Sequence, residues 1–178
     1  MVVTVLARER IRELVDAAGE ELDGDWVLVG GALATLWFLP DRATEDIDLI
    51  SVLEGPDRRY QLMDFALAHG VPLEAVNSAA DFFLRRFPDW RDQLEILHAG
   101  AHARILRPTP TLFLLLKAGR MSEADLGDCL ALLNLATRTG LSVDRVRVRD
   151  HLRSLAEPES TAASERRKVL HAALEQPK

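Results

Sequence analysis

The stretch WVLVGGALATLWFLPDRATEDIDLIS, residues 26–51, decides the fold of this chain. It begins with the apolar run Val27-Leu28-Val29, passes through Gly30-Gly31 into an apolar segment, and ends in the alternating residues Asp46-Ile47-Asp48-Leu49. A short apolar run predicts a buried strand, and paired glycines predict a tight turn. Alternation of acidic and apolar residues predicts a second strand with both carboxylates on one face. The segment therefore predicts a strand, a turn, a helix and a strand in succession.

This order of elements favours a site for a nucleoside triphosphate. Gly30 and Gly31 lack the Cβ atoms that would hold a phosphate away from the backbone, and they precede a predicted helix at 32–39 whose first amides attract anions. Asp46 and Asp48 supply the oxygen ligands that Mg²⁺ or Mn²⁺ takes. Taken singly, a Gly-Gly is most often a plain turn, and an Asp-x-Asp pair is most often solvated or caps a helix. The prediction of a nucleotide site depends on finding both motifs together, in the order strand, Gly-Gly, helix and acidic strand.

The same residues resemble a known family. Gly30-Gly31, a short helix and the run Arg42-Ala43-Thr44-Glu45-Asp46-Ile47-Asp48-Leu49 look like the signature of the polymerase-beta-type nucleotidyltransferase superfamily, in particular its small bacterial minimal and toxin-like members. The resemblance implies that the glycine turn holds the triphosphate, with Arg42 and Thr44 beside it. It also implies that Asp46 and Asp48 are catalytic and bind the metal ion.

The resemblance also implies a third carboxylate on a neighbouring strand, flanked by apolar residues. Leu94-Glu95-Ile96-Leu97 is the best match, so Glu95 is expected to be catalytic and to bind metal. Asp89 and Asp92 lie nearby in a polar segment. A single glutamate in a strand is also common as a solvated edge residue, and that alternative remains open.

Lys117 is the expected lysine ligand of the nucleotide phosphates. The apolar run that begins at Pro110 ends in Lys117 and Arg120, and Asp125 and Asp128 follow. This resembles the Lys-Ala-x-Arg element of the family and its subsequent Asp-Leu-x-Asp element. Cations are also favoured near any helix C-terminus, and Asp125 could equally serve as first-turn charge or pair with Arg120. The roles of Asp125 and Asp128 are therefore left open.

The patterns along the chain predict an α+β fold. A small mixed sheet flanked by helices, as in the nucleotidyltransferase fold, is expected over residues 1–108, with a helical region over 109–178 packed on it, either as a second domain or as part of one. A plausible linker lies at 156–160. The predicted strands are 25–29, 46–53, 93–98 and 103–107. The predicted helices are 5–22, 32–39, 56–69, 109–120, 123–139, 143–155 and 161–175.

Bulk properties fit a single enzyme domain in the cytoplasm. The chain has 178 residues, 48% of them hydrophobic, without an apolar run long enough to cross a membrane or a signal-peptide layout. The single cysteine, Cys129, excludes an intrachain disulfide and is expected to pack as a small hydrophobe. The net charge of −6 argues against a general nucleic-acid binder. Four cations, Arg145, Arg147, Arg149 and Arg153, share one predicted helix that could meet RNA or an acidic partner, or be a solvated face.

The sequence therefore predicts a Mg²⁺-dependent or Mn²⁺-dependent nucleotidyltransferase. It would move an NMP from an NTP to a hydroxyl of a protein, an RNA or a small molecule. The toxin-like resemblance suggests a toxin–antitoxin or phage-defence system with a cognate toxin or antitoxin. A non-catalytic antitoxin or regulatory module with the same fold is the alternative, and a hydrolase that releases free NMP is a third hypothesis. No feature of the sequence selects the base or the acceptor.

Overall fold

The structure is a computed structural model that describes residues 5–77, 80–158 and 160–176. The chain separates into two compact units, Met1–Pro108 and Thr109–Lys178. The described strands, all in the first unit, are β1 Gly24–Val29, β2 Ile47–Ser51, β3 Val76–Asn77, β4 Leu94–Ala99 and β5 Ala103–Pro108. The helices of that unit are α1 Arg8–Glu21, α2 Gly30–Trp37, α3 Pro56–Ala68 and α4 Ala80–Leu84, with short 3-10 turns at Leu73–Ala75 and Trp90–Gln93.

The five strands form one mixed sheet in the order β3-β2-β1-β5-β4. Strand β1 pairs antiparallel with β2 and parallel with β5. Strand β2 pairs parallel with β3, and β4 pairs antiparallel with β5. The predicted α+β class, with a small mixed sheet flanked by helices, is confirmed.

Strand β1 is central because its apolar residues can be covered on both faces. Val27, Leu28 and Val29 are all buried, as expected for an interior strand without polar alternation. Helix α1 packs against β4 and β5, and α2 packs against β1 and β2. The buried residues of α1 include Ile11, Leu14, Val15 and Ala18, whose spacing of three and four places one apolar stripe on the sheet.

Several predicted boundaries differ from the structure. Helix α1 begins at Arg8 rather than at Val5, because Leu6 forms an antiparallel bridge with Thr44 instead of a helical turn. Helix α2 begins at Gly30 itself, two residues before the predicted start. Strand β3 and helix α4 have no counterpart in the prediction, since elements of two and five residues are too short to show a periodicity.

The second unit consists of four described helices, α5 Pro110–Ala118, α6 Glu123–Thr139, α7 Arg145–Ser154 and α8 Thr161–Glu175. Helix α5 is capped by Thr109, whose side chain accepts a hydrogen bond from Leu112 N, and Pro110 follows at the first helical position. Helix α6 is followed by Gly140, which caps its C-terminus in a left-handed conformation at φ 73°. The predicted linker at 156–160 includes Glu159, which lies outside the described residues.

None of the helices in the described part of the chain has the length and apolar character that a membrane span requires.

Candidate functional site

The glycine turn brings the backbone against a carboxylate. Gly30 directly follows β1 and has a φ of +71°, a left-handed conformation that favours glycine. Val29 is paired with Asp48 across the antiparallel ladder, so the start of α2 and the Asp48 side chain are neighbours. A Cβ atom on Gly30 would lie 2.3 Å from Asp48 Oδ2, far inside contact distance. Glycine is therefore required here for two independent reasons, its conformation and the nearby carboxylate.

Gly31 makes a second close approach, to the loop that precedes β2. A Cβ atom there would lie 2.8 Å from Thr44 Oγ1 and 3.1 Å from Arg42 Nη2. Helices leave the first N–H groups without intrahelical partners, and those groups attract anions. A hydroxyl and a guanidinium thus stand within a few ångströms of the first turn of α2.

Thr44 fixes the loop that carries the aspartates. Its backbone exchanges two hydrogen bonds with Leu6, which donates to Thr44 O over 2.7 Å and accepts from Thr44 N over 3.2 Å. Its hydroxyl donates to Asp46 O over 3.2 Å. The contribution of Leu6 was not predicted, because the sequence pattern placed Leu6 in the helix expected over residues 5–22.

Asp46 and Asp48 reach the surface while the residues between and after them are buried. Asp46 is exposed and Asp48 is half-buried, whereas Ile47 and Leu49 are buried. The burial of residues 46–49 alternates as predicted, but β2 begins at Ile47, so Asp46 lies just before the strand rather than within it. The Asp46 carboxylate makes no hydrogen bond or ion pair with the described residues. It remains accessible to a ligand.

Glu95 does not join these residues. Val27 pairs with Ile50 on one side and with Leu106 on the other, so these three side chains share one face of the sheet. Asp48 lies two residues before Ile50 and therefore points to the same face. Glu95 pairs instead with Arg107, which points to the opposite face. Strands β2 and β4 are also separated by β1 and β5, about 14 Å at the usual strand spacing.

The Glu95 carboxylate is engaged elsewhere. Its Oε2 lies 2.5 Å from Arg107 Nη2, and the Arg107 guanidinium also stacks over the Trp37 ring at 3.8 Å from the centroid. Glu95 therefore has a structural partner on its own face of the sheet. We leave it out of the candidate site.

No group of three or more His, Cys, Asp or Glu side chains in the described residues could hold a metal ion by itself. The aspartates of the candidate site are thus a pair of carboxylates. Such a pair suits Mg²⁺ that is bound together with substrate phosphates, since Mg²⁺ commonly takes one or two protein carboxylates and completes its shell with phosphate and water oxygens.

Within the helical unit, Lys117 is buried between two carboxylates. Its Nζ lies 2.9 Å from Asp125 Oδ1 and 2.9 Å from Asp128 Oδ2, and the side chains of both aspartates are almost fully buried. These two ion pairs stabilise the buried positive charge of Lys117 within the helical unit. Its role as a phosphate ligand stays a prediction.

The Asp125 carboxylate accepts hydrogen bonds from three different residues. It accepts hydrogen bonds from Arg120 through Nε and Nη2, from Lys117, and from the backbone N and the hydroxyl of Ser122. The Ser122 hydroxyl in turn accepts from Asp125 N, which completes a capping box at the start of α6. Burial opposes ionisation of Asp125, but the hydrogen bonds and the charge of Lys117 outweigh it and hold its pKa well below the ordinary value.

Cys129 follows this cluster on α6. It is a fully buried free cysteine, as expected from the sequence, and burial raises the pKa of its thiol. A thiol in such surroundings is a small apolar side chain rather than a nucleophile.

Several arginines of the helical unit bind carbonyl groups near helix ends. Arg145 Nη1 donates to Ala173 O over 3.0 Å, near the end of α8. After α5, Arg166 Nε donates to Met121 O over 2.7 Å and Arg167 Nη2 donates to Gly119 O over 3.0 Å. Carbonyls at and beyond a helix C-terminus need such donors. Part of the cationic excess of this unit therefore has a structural role, and contact with RNA stays a prediction.

Comparison with protein-family models, with curated proteins and with solved structures finds no match to this chain. The functional argument consequently depends on the residues and their geometry.

Proposed function

We propose that the chain is a Mg²⁺-dependent nucleotidyltransferase that moves an NMP from an NTP to an acceptor hydroxyl. The observation that carries the proposal is the close approach at Gly30, where the backbone and Asp48 Oδ2 leave no space for a Cβ atom. A glycine turn and a carboxylate thus meet at the first turn of a helix, beside Arg42 and Thr44. This combination supports recognition of a metal-bound triphosphate.

Each residue has a distinct task in this proposal. The backbone N–H groups at the start of α2 would donate to phosphate oxygens, and Arg42 would pair with phosphate charge in the planar geometry that guanidinium groups provide. Thr44 would hold the backbone of Asp46 in place through the hydrogen bond of its hydroxyl to Asp46 O. The substrate would in this way be oriented before reaction, which is the larger part of catalysis in phosphoryl transfer.

The donor set fits Mg²⁺ or Mn²⁺ when phosphates contribute the remaining ligands. Asp46 and Asp48 would hold the cation, since their exposed and half-buried carboxylates project from one short segment. When bound, the cation would neutralise phosphate charge and stabilise the charge that develops on the reacting phosphate. Two carboxylates without a third acidic ligand predict that the metal binds weakly alone and firmly together with NTP.

Labelled transfer is the direct test. The protein is incubated with each α-phosphate-labelled NTP and Mg²⁺ or Mn²⁺ in a cell lysate, and the wild type is compared with Asp46→Ala/Asp48→Ala. We expect label on a protein, RNA or small-molecule product with the wild type, and a loss of about a thousandfold or more in the double variant. The class of the labelled product identifies the acceptor.

The matched control is Asp41→Ala/Glu45→Ala, which removes two exposed carboxylates from the same loop. It changes net charge equally and should retain transfer. Release of free NMP without a labelled acceptor would favour a hydrolase. If no product forms and thermal stability does not respond to NTP with metal, the catalytic proposal fails and the non-catalytic module takes its place.

A further inference from the structure

A cavity of about 450 Å³ lies in the first unit, away from the aspartates. Part of its lining comes from Trp26, Leu49 and Ser51, which share one face of the sheet because Trp26 pairs with Ser51. Asp48 points to the other face, and Ser51 ends β2 about 10 Å further along the strand. The cavity is therefore a separate feature from the candidate nucleotide site. Its volume is within the range of pockets that hold small molecules.

The wall opposite the sheet is rich in arginine. Arg58 and Arg59 come from the first turns of α3, and Arg85 follows α4. The acidic residues of the lining are Glu54 and Asp81. These five residues together carry one net positive charge.

Both lining carboxylates are used by the same arginine. Arg85 Nε lies 2.6 Å from Asp81 Oδ1, and Arg85 Nη1 lies 3.1 Å from Glu54 Oε1. Arg85 Nη2 donates to Ser51 O over 3.2 Å. Arg85 thus pairs with both carboxylates but balances only one of their two charges, so the five residues keep a single net positive charge on the side of Arg58 and Arg59.

Neither Arg58 nor Arg59 makes an ion pair with a residue that the structure describes. Arg58 Nη1 donates to two neutral oxygens, Asp23 O at 2.8 Å and Gln61 Oε1 at 3.2 Å. The exposed Arg59 makes no hydrogen bond or ion pair with any residue that the structure describes. Two cations at the mouth of a cavity with an apolar lining suit a ligand that joins an anionic group to an apolar body.

We propose that this cavity, the Arg59 pocket, binds a small molecule in which an oxyanion such as phosphate or carboxylate is attached to an apolar body. The oxyanion contacts Arg58 and Arg59, and the apolar body lies against Leu53 and Leu62. Binding requires no divalent cation, because the guanidinium groups supply the counter-charge. The pocket is a second site, independent of the proposed nucleotidyl transfer.

Phenyl phosphate is a suitable probe, with benzoate and benzyl alcohol as carboxylate and uncharged analogues. Titrations are followed by the indole N–H signals in NMR spectra of the full chain, in the presence of a chelator of divalent cations. Trp26 lines the pocket, whereas Trp37 stacks on Arg107 at the far end of α2. We expect a saturable shift of the Trp26 signal with phenyl phosphate, an unchanged Trp37 signal, and no effect of benzyl alcohol. The response to benzoate decides whether the pocket accepts both oxyanions or phosphate alone.

Variants of Arg59 make the test specific. Arg59→Ala should weaken binding about tenfold and Arg59→Glu more, because a charge-assisted hydrogen bond is lost and then replaced by repulsion. Arg12→Ala, another exposed arginine without a partner among the described residues, should bind as the wild type does. Asp46→Ala/Asp48→Ala should also bind normally, which separates this site from the nucleotide site. The proposal is overturned if the Trp26 signal does not move, or if Arg12→Ala and Arg59→Ala weaken binding equally.

Discussion

Two pairs of aspartates in this chain have opposite surroundings. Asp46 and Asp48 lie at the surface of the first unit, where Asp46 keeps its carboxylate accessible. Asp125 and Asp128 lie almost fully buried in the helical unit, on either side of Lys117. The same residue type is therefore available for a ligand in one unit and fully committed to the structure in the other.

The number of donors explains the difference. A carboxylate that receives hydrogen bonds from Lys117, Arg120 and Ser122, as Asp125 does, has little capacity left for a metal ion or a phosphate counter-charge. The Asp46 carboxylate, in contrast, makes no hydrogen bond or ion pair with the described residues. Sequence spacing cannot make this distinction, because it does not reveal how many donors surround a carboxylate.

Removal of the buried cation should have the largest effect on stability. Lys117→Met removes the buried ammonium group from both Asp125 and Asp128, and loss of one member of a buried ion pair typically costs about 3–5 kcal/mol. Denaturant unfolding followed by far-ultraviolet circular dichroism measures this cost. Asp46→Ala serves as the comparison and should change the free energy of unfolding by less than about 0.5 kcal/mol, as surface substitutions do.

If Lys117→Met lost no more unfolding free energy than Asp46→Ala, the contrast between the buried and the accessible aspartates would be contradicted. The same variant also tests the predicted phosphate role of Lys117. Weaker NTP binding in a variant that is still folded would support that role, and unchanged binding would restrict Lys117 to the helical unit.

Acid should remove the contribution of Asp125 to the stability of the chain. The pKa of Asp125 is lower in the folded chain than in the unfolded chain, so its contribution to stability is complete above the unfolded value, near 3.9. The contribution is lost as pH falls from that value through the folded pKa. We expect the free energy of unfolding to fall more steeply below about pH 4 in the wild type than in Asp125→Asn. Parallel curves for the two proteins would contradict the assignment.

A Cβ atom at Gly30 should displace the carboxylate of Asp48. Gly30→Ala meets both a φ of +71° and Asp48 Oδ2 at 2.3 Å, so we expect a loss of about 2 kcal/mol and the loss of metal-dependent NTP binding. Gly70→Ala is the matched control, because Gly70 has a φ of +63° and a Cβ atom there would meet nothing within 4 Å. It should cost about 1 kcal/mol, from the backbone alone, and leave NTP binding intact. If both variants lost the same free energy of unfolding, the proposed close contact between Gly30 and Asp48 would be contradicted.

Sequence patterns predicted the local part of this arrangement well. One short segment supplies Gly30, Gly31, Arg42, Thr44 and Asp48. The structure brings them together because β2 runs antiparallel to β1, so the start of β2 lies beside the end of β1 and the first turn of α2. The α+β class followed from the same periodicities. Local spacing was sufficient wherever partners are close in the chain.

The prediction was weaker where partners are distant in the chain. Glu95 matched an acidic strand pattern, but only the order of the sheet shows that β1 and β5 separate its strand from β2, and only the register shows that it faces the other way. The pairing of Leu6 with Thr44 and the Arg59 pocket likewise depend on segments far apart in sequence. One residue of register reverses the face of every side chain, and periodicity within a strand does not determine register between strands.

The smallest expected effect concerns an exposed ion pair in the same helical unit. Asp150 and Arg153 lie 3.4 Å apart with 64% and 60% of their side chains exposed. Water and salt screen such a pair, so Asp150→Ala should change the free energy of unfolding by less than about 0.5 kcal/mol, and added salt should abolish even that change. Denaturant unfolding at low and high salt, beside Lys117→Met, measures both. If the exposed pair cost as much as the buried one, burial and the number of donors would not be what distinguishes the carboxylates of this chain.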